Sequence, residues 1–210
     1  MGELVDRFPL FPLGIVALPS ELVPLHIFEE RYKTMVGECL EAGAPFGVLW
    51  LSDSGLRDIG CSVVISEVLD ELDDGRLNIL CRGDTPFRLL ERVDGMAYPA
   101  GTVEMLDDEP GSDPDQGGSV ARERYAELVE RATGERPGAE ALAALGAYEM
   151  AATIELGLDE KQLLLEERTE AGRMSELSAL IAAALGRLEF AEAAGERASS
   201  NGHLPRPGAS

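Results

Sequence analysis

Short apolar runs separated by turn residues dominate the first half of the chain, and this pattern predicts a sheet of short strands. Apolar runs long enough for a strand occupy 8–13, 15–18, 46–51, 61–72, 77–81, 87–93 and 102–106. The sequence Asp73-Asp74-Gly75-Arg76 between two of these runs has the composition of a hairpin turn. Strands at such close spacing predict a barrel or a strongly curled sheet.

A single helix interrupts these strands near the start of the chain. Its apolar residues recur at helical spacing, from Phe28 through Tyr32 to Cys39. Gly43 follows them, and glycine is favoured as the residue that ends a helix. The pattern therefore predicts one helix between Phe28 and Gly43.

The second half of the chain has a helical pattern. It begins after 107–118, which reads DDEPGSDPDQGG and contains no apolar side chain, a composition that predicts a linker. Helices are then predicted over 120–133, over 139–156, from Asp159 onward, and along an apolar stripe from Met174 to Leu188. The sequence therefore predicts an α+β protein in which a β-rich half precedes a helical half.

These patterns divide the chain into four parts. We predict a β-barrel subdomain at 1–106, a flexible acidic linker at 107–118, a helical subdomain at 119–195 and a disordered tail at 196–210. The tail follows the last apolar stripe and is rich in serine, glycine and proline, which is typical of a segment without a core of its own.

Charge narrows the range of partners. The 210 residues contain 39 acidic and 18 basic side chains, a net charge of −21 with histidine neutral. Nucleic acids and anionic membranes are bound through clusters of lysine and arginine, so RNA binding is a weak alternative and no membrane partner is expected. Three scattered cysteines and the lack of a basic leader predict a soluble, cytoplasmic protein.

The sequence lacks catalytic motifs. Neither a phosphate-binding glycine loop nor the glycine-flanked serine of many hydrolases occurs. The two histidines, His26 and His203, lack the serine context or the further ligands that a catalytic or metal site requires. We therefore predict a protein that is not an enzyme, with no catalytic residue, no cofactor and no metal.

Four segments of the first half resemble the family of Lon N-terminal domains, the substrate-binding domains that precede the ATPase in ATP-dependent Lon proteases. They are 8–13 (FPLFPL), 25–32 (LHIFEERY), 74–77 (DGRL) and 83–89 (GDTPFRL). The second of these is the most specific, because it looks like the LHIFE-x-RY signature of that family.

The resemblance continues into the second half and covers roughly residues 8 to 190. The segment 161–166 (KQLLLE), with Arg173 and Leu177 downstream, is similar to the helical pattern of the family. Two positions depart from the family: Glu30 stands where many members carry proline, and Pro86 stands where arginine usually precedes the phenylalanine. The second departure would alter contacts made by that loop.

The resemblance implies a PUA-like pseudo-barrel joined to a helical bundle, and a non-enzymatic module that binds unfolded or apolar segments of other proteins. A groove between barrel and bundle would bury the apolar side chains of the partner, and barrel edges could pair with its extended backbone. A full Lon protease continues into a nucleotide-binding module and a peptidase, so a chain of this length is expected to act without them. The alternatives are a structural adaptor for one dedicated partner and a weak homo-oligomer.

The residues proposed to contact a protein partner are Leu25, Phe28, Arg31, Tyr32, Trp50 and Phe87. Leu25, Phe28 and Tyr32 would line a groove for apolar segments, although helix-spaced apolar residues equally form a core. Arg31 would bind a carboxylate of the partner or form an ion pair within the chain. Trp50 would anchor the partner or pack at the barrel rim. Phe87 belongs to the loop segment that departs from the family pattern.

Overall fold

The computed structural model describes residues 2–109 and 117–201. Its strands are β1 (Leu4–Leu13), β2 (Leu22–Ile27), β3 (Phe46–Ser52), β4 (Gly55–Leu56), β5 (Ile59–Glu71), β6 (Leu77–Val93) and β7 (Ala100–Met105). Its helices are α1 (Glu30–Ala42), α2 (Gly118–Thr133), α3 (Ala139–Ala143), α4 (Ala147–Ala151), α5 (Leu158–Glu166) and α6 (Glu170–Asn201). The predicted α+β class, with a β-rich half before a helical half, is confirmed.

Five of these strands form a closed ring. From β1 the antiparallel neighbours follow in the order β7, β6, β5 and β3, and a parallel pairing of β3 with β1 closes the ring. Both faces of β3 are covered, because Phe46 and Val48 join the core that includes the helices and Leu49 joins a cluster with Phe8 and Phe87 of the barrel. This accounts for the continuous apolar run in the sequence. The barrel expected from the spacing of the strands is therefore present.

Strands β5 and β6 form a long hairpin. Its predicted turn is confirmed, since the Leu72 N–H donates to the Arg76 carbonyl over 2.9 Å. The two strands predicted at 77–81 and 87–93 are one continuous strand, β6. Strand β6 pairs with β5 along one edge. Along its other edge, the first part of β6 pairs with β2 and its last part pairs with β7.

The pattern of apolar residues does not predict β2 and wrongly predicts a strand at 15–18. Residues 15–18 do not form a strand, although 16–18 are buried. In β2 the alternate residues Val23, Leu25 and Ile27 are buried, and Pro24 faces outward. Within the described residues β2 pairs with β6 alone, and such an edge position tolerates proline.

Helix α1 begins at Glu30, two residues later than Phe28, and ends at Gly43 as predicted. Gly43 has a φ of 60°, a left-handed conformation that glycine adopts at low cost, and its N–H turns back to the last carbonyls of the helix. The buried face of α1 carries Tyr32, Met35, Val36 and Cys39. Phe28 lies before the helix and is exposed, so it does not belong to that face.

The region 139–156, predicted as one helix, forms the two short helices α3 and α4. The break falls at Gly146, whose backbone is extended with φ −86° and ψ 178°. Its N–H donates to the Glu149 carboxylate over 3.1 Å, which caps the start of α4. Glycine is a poor residue for a helix interior, and this one begins a new helix instead.

Helix α6 extends further than the sequence pattern indicates. Its helical backbone continues to Asn201, so 196–201 of the predicted disordered tail is helical. Residues 202–210 lie outside the described residues. The apolar stripe predicted from Met174 onward is confirmed, because Met174, Leu177, Ile181 and Leu185 of α6 are buried.

The two halves share one apolar core. Barrel residues such as Phe46 and Ile79 belong to the same buried cluster as Met150 and Leu177 of the helices. An ion pair between Lys161 of α5 and Glu21 before β2 reinforces this contact, with both side chains mostly shielded from water. The helical half is therefore packed against the barrel.

The first residues of the predicted flexible linker are held by α6 and the turn before it. Arg173, 3% exposed, donates to both carboxylate oxygens of Asp108 at 2.9 and 2.5 Å. The Glu109 N–H donates to the Arg168 carbonyl over 2.8 Å. Residues 108 and 109 at the start of the predicted linker are therefore in contact with the helical half.

We expect the Arg173→Met substitution to lower the free energy of unfolding by about 2 kcal/mol, because the guanidinium bonds to Asp108 and Glu170 are lost. The cost stays below that of a fully buried pair because Asp108 is 58% exposed. Urea denaturation followed by circular dichroism measures it. In the control, Arg76→Met removes the exposed pair with Asp74 and should leave stability unchanged. An Arg173→Met variant as stable as the parent protein would contradict this assignment.

Candidate functional site

The six residues predicted to contact a partner do not form one surface. Leu25, Tyr32 and Phe87 are buried, whereas Phe28 exposes 59% of its area. Arg31 is exposed and Trp50 is half-buried. Of the six, Arg31 and Tyr32 line the same pocket, while the others lie elsewhere.

Phe87 is a core residue of the barrel. Its ring is fully buried and meets Phe8 edge to face, with ring centroids 5.5 Å apart. Gly47 and Gly60 lie so close that a side chain on either would collide with the ring. The assignment of Phe87 to a binding surface must therefore be corrected, since this side chain has no surface to offer a partner.

Leu25 and Phe28 lie on different sides of the chain near β2. Leu25 is buried and borders only a shallow depression away from Tyr32, so the predicted groove that combines Leu25, Phe28 and Tyr32 must be corrected. Phe28 lies beside His26 on the outside, with stacked rings whose centroids are 5.8 Å apart. His26 Nδ1 is 2.7 Å from Asn78 Oδ1, which fixes the imidazole on this face. A shallow depression of about 240 Å³ next to it gives a small apolar surface.

Trp50 lies at the end of β3, next to an arginine. The guanidinium carbon of Arg57 is 5.3 Å from the centroid of the Trp50 ring, within the range of a cation–π contact. Within the described residues the buried Arg57 Nε has no hydrogen-bond partner. Trp50 is therefore engaged at the barrel rim, the second of the two roles predicted for it.

A pocket of about 340 Å³, the barrel pocket, opens where the end of β1 passes the start of α1. Its apolar wall is formed by Leu10, Pro12, Leu51, Leu56, Pro99 and Ala100. Arg31, Tyr32 and Arg92 complete it. Strand pairing brings these distant residues together: Leu51 lies opposite Leu56 in the β3–β4 hairpin, and Arg92 lies opposite Gly101, next to Ala100, between β6 and β7.

Two arginines border this apolar wall. The Arg31 guanidinium lies 2.7 Å from Glu29 and 4.6 Å from the centroid of the Tyr32 ring. Burial raises the pKa of Tyr32, so its hydroxyl is neutral at physiological pH. Arg92 is exposed and has no ion-pair partner among the described residues. The barrel pocket is therefore apolar at its wall and positive at its rim.

The cavity between the two halves differs from the apolar groove expected there. This cavity, about 450 Å³, is lined by carboxylates from both halves around Arg173. These carboxylates belong to Asp84, Asp107, Asp108, Glu149 and Glu170. This cavity is therefore not the apolar groove predicted between barrel and bundle, because the apolar residues from both halves are buried in the shared core.

A second apolar groove, the helical groove, lies within the helical half and is not among the predicted sites. Its volume is about 480 Å³. The apolar residues along it are Leu128, Ile154, Leu156, Leu180, Ile181 and Leu188. Its signal in the sequence was the apolar stripe of α6, part of which turns away from the core.

The three cysteines are free and buried. Burial raises the pKa of Cys39 to about 11 and that of Cys81 to about 12, so neither is a thiolate nucleophile at neutral pH. In the part of the chain that the structure describes, no cluster of histidine, cysteine and acidic residues could hold a metal ion. No helix among those residues is long and apolar enough to cross a membrane.

The described residues form an α+β domain in which a closed barrel packs against a helical half. The family model of the ATP-dependent protease La (LON) substrate-binding domain matches residues 7–183, and the chain belongs to this family. The resemblance drawn from the sequence motifs is thereby confirmed.

Similar proteins agree with this assignment. The Lon protease of Paraburkholderia phytofirmans is 24% identical over 202 residues, which cover 87% of this chain and 25% of that protein. A solved Lon N-terminal domain protein from Xanthomonas campestris is 27% identical with a TM-score of 0.63, over 83% of this chain and 98% of that one. The N-terminal domain of a Mycobacterium avium complex Lon protease, 14% identical with a TM-score of 0.66 over 84% and 98%, shares the fold. The chain thus spans about a quarter of the length of the curated relative.

Proposed function

We propose that the protein is a non-enzymatic module that captures apolar segments of unfolded polypeptides, with the barrel pocket as its binding site. Membership of a substrate-binding family supports a role in recognising other proteins. The observation that carries the proposal is the barrel pocket, where an apolar wall is open to water beside Arg31 and Tyr32.

The wall of the barrel pocket explains how a partner would be held. Leu51 exposes 53% of its area at the mouth of the pocket, whereas Leu10 and Ala100 are buried at its floor. Fully burying an exposed leucine contributes about 1.5–3 kcal/mol, so covering the exposed part of Leu51 contributes roughly half of that. Binding to so few residues is expected to be weak and tolerant of sequence, which suits a module with many partners.

The charge of the chain sets which partners approach. With a net charge of −21, the protein repels polyanions and favours neutral or basic polypeptides. Nucleic acid is therefore not among the partners that we propose. Three free buried thiols suit a reducing compartment, and we propose a cytoplasmic location on that basis.

A titration with a neutral peptide tests the proposal. We expect a twelve-residue peptide containing leucine and phenylalanine, acetylated and amidated at its ends, to shift amide resonances around Arg31 and Ala100 in isotope-labelled protein. The Leu51→Glu substitution should weaken this binding about tenfold, because it replaces an apolar contact at the mouth by a charge.

The matched control is Leu69→Glu, because Leu69 of β5 is 52% exposed but lies outside the barrel pocket. It should leave the affinity unchanged. The absence of localised shifts at high micromolar peptide, or equal weakening by both variants, would overturn the proposal. Light scattering of the free protein separates this role from self-association.

A further inference from the structure

We propose that the barrel pocket selects the carboxyl-terminal end of a polypeptide, binding its last apolar side chains against the wall and its terminal carboxylate between Arg31 and Arg92. This inference rests on the proposed function and adds the chemistry of the preferred partner. It depends on two arginines that border one small apolar pocket in a chain where acidic residues outnumber basic ones by 39 to 18.

The two arginines come from different parts of the fold. Arg31 lies in the first turn of α1, and Arg92 lies near the end of β6. Arginine presents a planar set of N–H donors that matches the two oxygens of a carboxylate. The amino-terminal end of α1 lies at the same edge of the pocket, where Glu29 and Glu30 offset the positive end of the helix dipole, so the attraction for an anion comes from the arginines.

Arg92 provides the unsatisfied charge. Glu29 already neutralises part of the Arg31 charge at 2.7 Å, and the Arg31 guanidinium is held over the Tyr32 ring. Arg92 is exposed, and no carboxylate of the described residues pairs with it. The rim therefore has Arg31, which is held by Glu29 and Tyr32, and Arg92, whose guanidinium can bind an anion.

The surroundings favour a terminal carboxylate over an acidic segment. A net charge of −21 repels a segment with repeated acidic side chains, whereas a single carboxylate after apolar residues gains the local attraction at little long-range cost. The volume of about 340 Å³ lies near the lower limit for ligand pockets, so it fits a short apolar end better than a long segment.

Fluorescence anisotropy with three labelled octapeptides tests this inference. All three contain the same leucine-phenylalanine-leucine sequence, ending in a free carboxylate, ending in an amide, or amidated and carrying an internal glutamate. We expect the free carboxylate to bind about fivefold more tightly than the amide at low ionic strength, the range of a partly exposed arginine–carboxylate pair. The Arg92→Gln substitution should abolish that preference.

Arg82→Gln is the matched control, because Arg82 is an exposed arginine on the same strand and does not line the pocket. It removes the same charge and should keep the preference for the carboxylate. If the carboxylate and amide peptides bind equally, or if the internal glutamate binds as well as the terminal carboxylate, this inference is overturned while the proposed function stands. If none of the three peptides binds, both fail.

Discussion

The Phe87→Ala variant is expected to lose about 4 kcal/mol of unfolding free energy, the usual cost of emptying a large aromatic site in a core. The ring is fully buried between Phe8, Gly47 and Gly60, and backbone that is already in close contact cannot collapse into the space. Chemical denaturation measures the loss. If the thermal midpoint of the variant falls below room temperature, the variant is unfolded before denaturant is added.

Phe28→Ala is the matched control for this experiment. The same atoms are removed, but Phe28 is 59% exposed, so its stability should change by less than about 0.5 kcal/mol. Equal stability of the two variants would contradict the placement of Phe87 in the core. Because Phe87 is buried, an unfolded Phe87→Ala variant would lose peptide binding without any lost contact. Peptide binding is therefore compared only if the variant is folded.

Much of the fold could be predicted because local patterns and long-range packing agree. The Asp73–Arg76 turn is fixed by residues adjacent in sequence, and the hairpin of β5 and β6 follows from it. The end of α1 at Gly43 is equally local. Strand β2 could not be found this way, because Pro24 argues against a strand and an edge position is visible only after the sheet is assembled.

The candidate site could be predicted in part, for a similar reason. Arg31 and Tyr32 are neighbours in a recognisable motif, whereas Leu51 and Arg92 reach the barrel pocket through strand pairing that no sequence spacing encodes. The family resemblance predicts an apolar groove at the junction between the halves, but both halves turn apolar faces toward each other there. Those faces meet in one core, and acidic residues are left to line the remaining space.

The Gly83→Ala variant should lose at least about 3 kcal/mol of unfolding free energy, because its methyl group would overlap the backbone of a neighbouring loop. A Cβ on Gly83 would collide with the carbonyl group of Leu18. The loop cannot move aside at low cost, since the Gly83 N–H donates to the Glu21 carbonyl and the Ser20 N–H donates to the Gly83 carbonyl, each over 2.9 Å.

The same loop carries Glu21, the partner of Lys161, so the substitution should also weaken the contact between the barrel and the helices. Hydrogen exchange would detect this as faster exchange in α5 together with β2. Gly37→Ala is the control: a Cβ at this position in α1 meets open space, and alanine is a better helix former, so stability should stay level or rise slightly. A Gly83→Ala protein as stable as Gly37→Ala would mean that the loop is free to move and that its close approach to β6 does not fix the position of the helical half.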